Sequence, residues 1–119
     1  MYRLPVASKL ELFAFEPPAG RRPVMDYIDA QDMQAATLLA SSLKAFCDQF
    51  PDVQTVSIKP LSGKLWEVRV KDQRGVAHRV IYAVVGGYMV LLHAFTKKTP
   101  KTPPDALRLA AKRLKAMTE

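Results

Sequence analysis

Apolar and charged residues alternate along the segment Lys64–Lys71, whose sequence is KLWEVRVK. In an extended chain its Trp and two Val side chains fall on one side, and Glu67, Arg69 and Lys71 fall on the other. This period of two is typical of a half-buried β-strand. The pattern therefore predicts a strand with one charged face and one core face, the latter including Trp66.

Two apolar runs follow this strand and predict a three-stranded meander. They are Val76–Val85 and Tyr88–Phe95. Gly86 and Gly87 lie between them and can supply the two positive φ angles of a tight hairpin. A further strand is predicted over Lys9–Phe15, where both faces carry apolar groups and are expected to be covered. The segment Val53–Ser62 has no clear period and is interpreted as irregular.

Helical spacing is found in the region between Pro23 and Pro51. Pro23 suits the first turn of a short helix, and Asp29 or Asp32 can cap a break before a longer one that Pro51 ends. The apolar stripe of the longer helix recurs at three- and four-residue steps and comprises Met33, Ala36, Leu39, Ala40, Leu43, Phe46, Cys47 and Phe50. We therefore expect a helical hairpin, or one kinked helix, packed on the sheet.

A last helix is predicted from about Thr102, whose hydroxyl can cap it, with Pro103 and Pro104 in the first turn. Its predicted buried side comprises Leu107, Ala110, Ala111 and Leu114, and its basic side comprises Arg108, Lys112 and Lys115. The order of elements predicts one α+β domain over residues 1–119. Its mainly antiparallel sheet consists of the N-terminal strand and the meander, flanked by the N-terminal helix pair and the C-terminal helix.

Composition narrows the class of protein. Hydrophobic residues make up 49% of the 119 residues, which is enough for a core, and no apolar run is long enough to span a membrane. The N-terminus lacks the apolar segment of a signal peptide. Cys47 is the one cysteine, which excludes an intrachain disulfide and is consistent with a reducing cytoplasm. Neither a cofactor motif nor a metal-ligand cluster is present, so we expect none to be bound.

The positive charge is concentrated in the second half of the chain. Residues 1–58 contain five basic and seven acidic residues, whereas residues 59–119 contain thirteen basic and four acidic ones, a net charge of +9. This asymmetry favours a polyanionic partner, either a nucleic acid or an acidic protein segment. A solvated basic surface is the alternative.

Cations on the predicted meander are the candidates for chemistry, with two further groups within reach. They are Arg69, Arg79, Lys97 and Lys98, together with Tyr82 and His93. Guanidinium groups can hold a phosphate, and a His, a Tyr or a Lys of lowered pKa can transfer protons, which suits metal-free RNA cleavage. Structural alternatives remain for each of them: Tyr82 as a core residue, His93 as a satisfied strand histidine, a Glu67–Arg79 ion pair, and lysines at a solvated strand end.

Three segments resemble the HigB-like branch of the RelE/ParE toxin superfamily, which includes phage-derived members. They are LSGKLWEVRV, HRVIYAV and LLHAFTKKTPKTPPDALRLAAKRL. The similarity extends over about Lys9 to Lys115, and the Phe-x-Lys-Lys-Thr segment is its most specific part. It implies functional roles for Arg69, Arg79, Lys97 and Lys98, with His93 and Tyr82 as further matches.

The resemblance implies the toxin of a type II toxin–antitoxin system, a ribosome-dependent mRNA endoribonuclease neutralised by a helix-turn-helix, HigA-like antitoxin. We expect supporting RNA contacts from Lys64, Lys71, Lys101, Arg108 and Lys112. Two alternatives stay open: a ParE-like, non-enzymatic inhibitor of DNA gyrase, and a prophage remnant that binds RNA without cleaving it.

Overall fold

A computed structural model of the chain describes residues 9–18 and 20–118. Its elements are β1 (Glu11–Ala14), α1 (Pro23–Asp29), α2 (Met33–Gln49), β2 (Ser57–Ser62), β3 (Leu65–Lys71), β4 (Ala77–Val85), β5 (Tyr88–Thr96) and α3 (Pro104–Thr118). The expectation about a signal peptide concerns residues 1–8, which lie outside the described part. The α+β class, the helix pair and the C-terminal helix are confirmed.

The sheet is mixed and has the strand order β1-β5-β4-β3-β2. Strands β2 to β5 pair in antiparallel fashion, and the predicted meander β3-β4-β5 is confirmed. Strand β1 pairs with β5 in parallel, with Glu11 opposite Tyr88. The sheet therefore joins the first strand to the last.

The interpretation of Val53–Ser62 as irregular is wrong for Ser57–Ser62, which form β2. This strand pairs with β3 from Ser57 opposite Arg69 to Ser62 opposite Leu65, with an irregularity between Pro60 and Ser62. Proline is tolerated there because β2 is an edge strand. The break in the register also disrupts the period of two that would identify a strand in the sequence.

Strand β1 is shorter and more exposed than predicted. It covers Glu11–Ala14, and Leu12 and Phe13 are 45% and 44% exposed, whereas Leu10 just before it is buried. The expectation that both faces are covered is wrong because β1 lies at the edge of the sheet.

Each face of the sheet carries its own core. Helices α1 and α2 pack on one face, where the core includes Leu39, Leu43, Phe46, Cys47, Val68, Val80 and Tyr82. Helix α3 covers part of the other face, where the core includes Leu65, Ile81, Ala83, Leu92, Ala106 and Ala110. Cys47 is a small core residue, as its place on the stripe predicted.

Four residues predicted to be buried lie at the surface. Met33 is 85% exposed, and Ala40 and Ala111 are also exposed, because each lies at the margin of its apolar stripe. Trp66 remains 36% exposed, since it lines an open groove together with Phe46 and Phe50.

The helix and hairpin signals are partly confirmed. The Asp32 carboxylate accepts a hydrogen bond from the Ala35 N–H at 2.8 Å and caps α2. Thr102 was predicted to cap the last helix, but α3 begins at Pro104 and the Thr102 hydroxyl donates to Glu67 instead. In the β4–β5 hairpin Gly86 has a φ of 59°, and Gly87 does not take a positive φ.

A chain of polar groups that includes the buried His78 and Asp72 joins α1 to the sheet. The Tyr27 hydroxyl lies 2.7 Å from His78 Nδ1 and 2.8 Å from Thr96 Oγ1. On its other side the His78 ring contacts Asp72 Oδ2 at 2.9 Å, and Arg74 donates to the same oxygen at 2.7 Å. These bonds fix the end of β5 against the start of β4.

Replacing Asp72 with asparagine is expected to lower the melting temperature at neutral pH by several degrees. Hydrogen bonds from Arg74, and then from His78, hold the pKa of the Asp72 carboxyl well below its ordinary value of 3.8. A depressed native pKa stabilises the fold above pH of about 4, and this contribution is lost as the pH falls further. The Asp72→Asn variant should therefore show a flatter dependence of melting temperature on pH in the acid range.

Thermal unfolding followed by circular dichroism at pH 7, 4 and 3 measures this effect. Asp29→Asn is the matched control, because the Asp29 side chain is 66% exposed in a 3.9 Å ion pair with Arg22. Equal acid sensitivity in the wild type and in Asp72→Asn would contradict the prediction.

Candidate functional site

A small pocket rich in cations lies on the sheet face that α3 partly covers. It is next to the connector that leads from β5 to α3. The pocket has a volume of about 20 Å³. We call it the basic pocket; it is lined by Lys59, Glu67, Arg69, Arg79, Phe95, Lys97, Pro100, Lys101 and Thr102. Five of these nine side chains are basic and one is acidic, so the site favours an anion.

The strand register brings the cations together. Arg69 of β3 lies directly opposite Arg79 of β4, and Arg79 lies opposite Phe95 of β5. Lys97 follows Phe95 by two positions and extends the same row, while Lys59 of β2 lies opposite Glu67. Side chains at directly opposite positions share one face of a sheet. The pairing thus places three of the predicted cations around one pocket: Arg69 of β3, Arg79 of β4 and Lys97 just after β5.

Glu67 is a buried carboxylate at the centre of these cations, with 3% of its surface exposed. Its Oε2 lies 3.4 Å from Arg79 Nε, and its Oε1 accepts a hydrogen bond from the Thr102 hydroxyl at 2.8 Å. The Glu67–Arg79 ion pair considered from the sequence is therefore present. Glu67 was not among the predicted site residues, although its alternation with Arg69 placed it on the charged face.

The pocket lowers the pKa of two of its cations. For Lys97 the largest cause is burial, and the charges of Arg79 and Arg69 act in the same direction. For Arg79 the cause is again burial, followed by Arg69, with Glu67 opposing both. Arginine stays charged in either case, because its pKa is very high. The neutral amine of Lys97 is therefore more accessible than that of an ordinary surface lysine.

The two adjacent lysines differ in their surroundings. Lys97 lines the basic pocket, whereas Lys98 is exposed and does not line it. Lys98 was grouped with Lys97 as a candidate cation but does not share its pocket, since successive residues of an extended chain point in opposite directions.

Tyr82 lies on the opposite face of the sheet from Arg79. Its side chain is 2% exposed, and its ring packs 4.8 Å from that of Phe46 in the α2 core. Burial raises its pKa. The expectation that Tyr82 reaches the cations is therefore wrong, and the alternative of a core residue is observed.

His93 lies on the same face as the basic pocket but outside it. Its ring stacks on Phe95 with centroids 5.7 Å apart, so that Phe95 separates it from the pocket. Burial, and then the charge of Arg113, lower the His93 pKa. A neutral imidazole next to α3 agrees with the structural alternative for this residue.

The predicted supporting cations are dispersed around the site. Lys101 lines the basic pocket. Lys71, at the end of β3, is two positions beyond Arg69 and therefore lies on the same face of the strand. Arg108 and Lys112 are exposed on α3, and Arg108 forms an ion pair with Asp105. Lys64 lies in the β2–β3 turn, at a groove on the other face of the sheet.

That groove has a volume of about 530 Å³ and is far larger than the basic pocket. Its lining is mainly apolar and aromatic and includes Phe46, Phe50, Trp66 and Tyr82. A phosphate would find one cation there, Lys64, so the groove does not suit the chemistry of the basic pocket.

Two kinds of feature are not found within residues 9–18 and 20–118. No group of three His, Cys, Asp or Glu side chains is placed to hold a metal ion. None of the helices in this part of the chain has the length and apolar character needed to cross a membrane.

The arrangement supports two chemical tasks. Arg69 and Arg79 present guanidinium groups that can bind a phosphate through paired hydrogen bonds. Lys97 can accept a proton beside them, since its lowered pKa makes the neutral amine easier to form.

Comparison with known proteins identifies a family for this chain but no individual relative. No match to a curated protein was found. The family model of phage-derived protein Gp49-like (DUF891) matches residues 26–115, which include β2 to β5, the basic pocket and most of α3. Because this match covers well over half of the chain, the protein belongs to the Gp49-like family of phage-derived proteins, a RelE/toxin-like family.

Proposed function

We propose that this protein is the HigB-like toxin of a type II toxin–antitoxin system and that it cleaves mRNA on the ribosome without a metal ion. The observation that carries the proposal is the convergence of Arg69 of β3, Arg79 of β4 and Lys97, which directly follows β5, on one pocket. Membership of a toxin-like family supports it.

The reaction requires a base, a group that holds the phosphate and an acid. Lys97 in its neutral form takes the proton of a ribose 2′-hydroxyl, and the 2′-oxygen attacks the adjacent phosphorus. Arg69 and Arg79 stabilise the negative charge on the phosphoryl oxygens as it develops. The bond from phosphorus to the 5′-oxygen then breaks, and the ammonium of Lys59 or Lys101 protonates the leaving oxygen. The products are a 2′,3′-cyclic phosphate and a 5′-hydroxyl.

The ribosome supplies the setting for this reaction. The second half of the chain carries a net charge of +9, and the ribosome is a polyanion, so electrostatic attraction steers the protein to it. Cations outside the pocket, namely Lys71, Arg108 and Lys112, are the proposed contacts to ribosomal RNA or mRNA. Docking in the aminoacyl site would present the mRNA backbone to the basic pocket, and strong salt dependence is expected.

A helix-turn-helix, HigA-like antitoxin is the proposed partner that neutralises the toxin. Growth arrest on expression of this chain alone, and its relief on coexpression of a HigA-like helix-turn-helix protein, would support this part of the proposal.

Primer extension on mRNA incubated with ribosomes and the purified protein tests the function. We expect new 5′ ends that depend on ribosomes and carry a 5′-hydroxyl opposite a 2′,3′-cyclic phosphate, the ends that attack by a 2′-hydroxyl leaves. Trapped gyrase–DNA complexes without mRNA cleavage would indicate a ParE-like inhibitor instead. Salt-sensitive RNA binding without cleavage would indicate an RNA-binding remnant, and either result would overturn the proposal.

A further inference from the structure

We infer that Glu67 is a positioning residue of the basic pocket, which orients Arg79 and the β5–α3 connector for RNA cleavage while weakening the binding of RNA. The inference rests on the proposed function, because it assigns a role within the same site. Its physical basis is a carboxylate in the middle of an anion-binding pocket.

The two carboxylate oxygens of Glu67 hold two different parts of the pocket. Oε2 pairs with Arg79 Nε at 3.4 Å, and Oε1 accepts the Thr102 hydroxyl at 2.8 Å. Thr102 lies two residues before α3, and the carbonyl of Pro103 accepts the first bonds of that helix, from the N–H groups of Ala106 and Leu107. Glu67 therefore connects β3 to β4 and to the connector that forms one wall of the pocket.

The Arg79 guanidinium is oriented before any ligand binds. Its Nη1 donates to the carbonyl of His78 at 3.0 Å, and its Nε faces Glu67. These two contacts involve two of the five N–H donors of an arginine, so others remain available to a phosphate. Because the guanidinium is planar, fixing Nε and Nη1 also determines the direction in which the remaining N–H groups point.

This orientation has an electrostatic cost. Glu67 is the one acidic residue among the five basic ones that line the pocket, so its charge repels the phosphate that they attract. Arg69 and Arg79 lie directly opposite each other, and Glu67 reduces their mutual repulsion when the site is empty. A negative charge at this position does not help to bind the RNA phosphate. It does hold the positively charged Arg79 side chain in one orientation, which is the role that we assign to Glu67.

Glu67→Gln separates these two effects, since it removes the charge and keeps an oxygen that can accept from Thr102. We expect the variant to bind a non-cleavable RNA, methylated at its 2′-oxygens, roughly 3- to 10-fold more tightly and with a steeper salt dependence. We expect its single-turnover cleavage on ribosomes to be roughly 10- to 100-fold slower, because Arg79 is no longer held in place.

The matched control is Glu11→Gln, which changes the net charge equally at an exposed position on β1, three strands away from β3. Thr102→Val removes only the second contact and should slow cleavage less. Thr102→Ser, which keeps the hydroxyl, should recover most of that loss.

The outcomes distinguish the inference from its competitors. A decrease in both binding and cleavage in Glu67→Gln would mean that Glu67 has a structural role. An increase in both would mean that its role is purely electrostatic. Either result, or no change in binding and cleavage, would overturn the inference. The Arg79 Nε–H signal in NMR gives a readout that needs no activity. It should be protected from exchange in the wild type and lose this protection in Glu67→Gln. If that change is seen while the wild type fails to cleave mRNA, the proposed function fails and the orienting contact stands.

Discussion

Replacing Lys97 with alanine is expected to lower the single-turnover rate of mRNA cleavage by about 10²- to 10⁴-fold and to abolish growth arrest. The reason is that Lys97 is the proposed base, and burial together with Arg79 and Arg69 lowers its pKa. The rate of the wild type should also rise with pH up to that lowered pKa, since the neutral amine is the active form. Rates measured from pH 6 to pH 9 on programmed ribosomes check both expectations.

Lys98→Ala provides the matched comparison, because it removes the same charge at the next position but outside the basic pocket. Its effect should be no more than a few-fold. Lys97→Arg keeps the charge and raises the pKa, so it should bind RNA, cleave slowly and lose the pH dependence. Full activity in Lys97→Ala, or equal losses at the two lysines, would show that Lys97 is not the base.

Replacing Tyr82 with alanine is expected to lower the free energy of unfolding by about 3–5 kcal/mol. The Tyr82 ring is 2% exposed and packs against Phe46, so its removal leaves a cavity between α2 and the sheet. Urea unfolding followed by circular dichroism measures the loss. For a domain of this size it is a large part of the total stability.

Tyr82→Phe tests whether that residue has any part in catalysis. The variant keeps the ring and removes only the hydroxyl, so we expect near wild-type stability and an unchanged rate of cleavage. A rate reduced 100-fold with the fold intact would mean that the Tyr82 hydroxyl reaches the reacting groups, contrary to its position on the opposite face.

The elements with strong periodicity were predictable from the sequence. Strand β3 and the longer helix were identified because their apolar residues recur at a constant step, and β4 and β5 because two apolar runs flank Gly86 and Gly87. Strand β2 was missed because Pro60 and an irregular register interrupt its alternation. The pairing of β1 with β5 could not be inferred from any local pattern, since it joins opposite ends of the described chain.

The site was predictable to the extent that the residues lie on regular strands. Alternation placed Arg69 on the charged face of β3, whereas its position opposite Arg79 comes from the register of β3 with β4. The same rule separates Tyr82 from Arg79, because side chains three positions apart on a strand point to opposite faces. The grouping of Tyr82 with the cations is inconsistent with this rule. Lys101 and Thr102 lie in a connector without a period, so only the folded chain shows that they border the pocket.

An irregularity in the β4–β5 register, between Ile81 and Tyr82, had no signal in the sequence. Near it Leu92 joins the α3 core, while the ring of its neighbour His93 stacks on Phe95, on the same side of the sheet. Strict alternation would have placed one of these two adjacent residues on the α2 side. Local breaks of this kind limit how far the period of two can be extended along a strand.

Because β1 pairs with β5, two segments separated by most of the described chain must meet before the sheet is complete. Closing so long a loop costs more conformational entropy than closing the hairpins of the meander, so β1 is expected to dock late in folding. Until it does, the outer edge of β5 offers unpaired backbone groups to any other extended chain. Newly made molecules would thus pass through an interval in which self-association competes with completion of the fold, although the cations of the basic pocket all come from residue 59 onward and do not wait for β1.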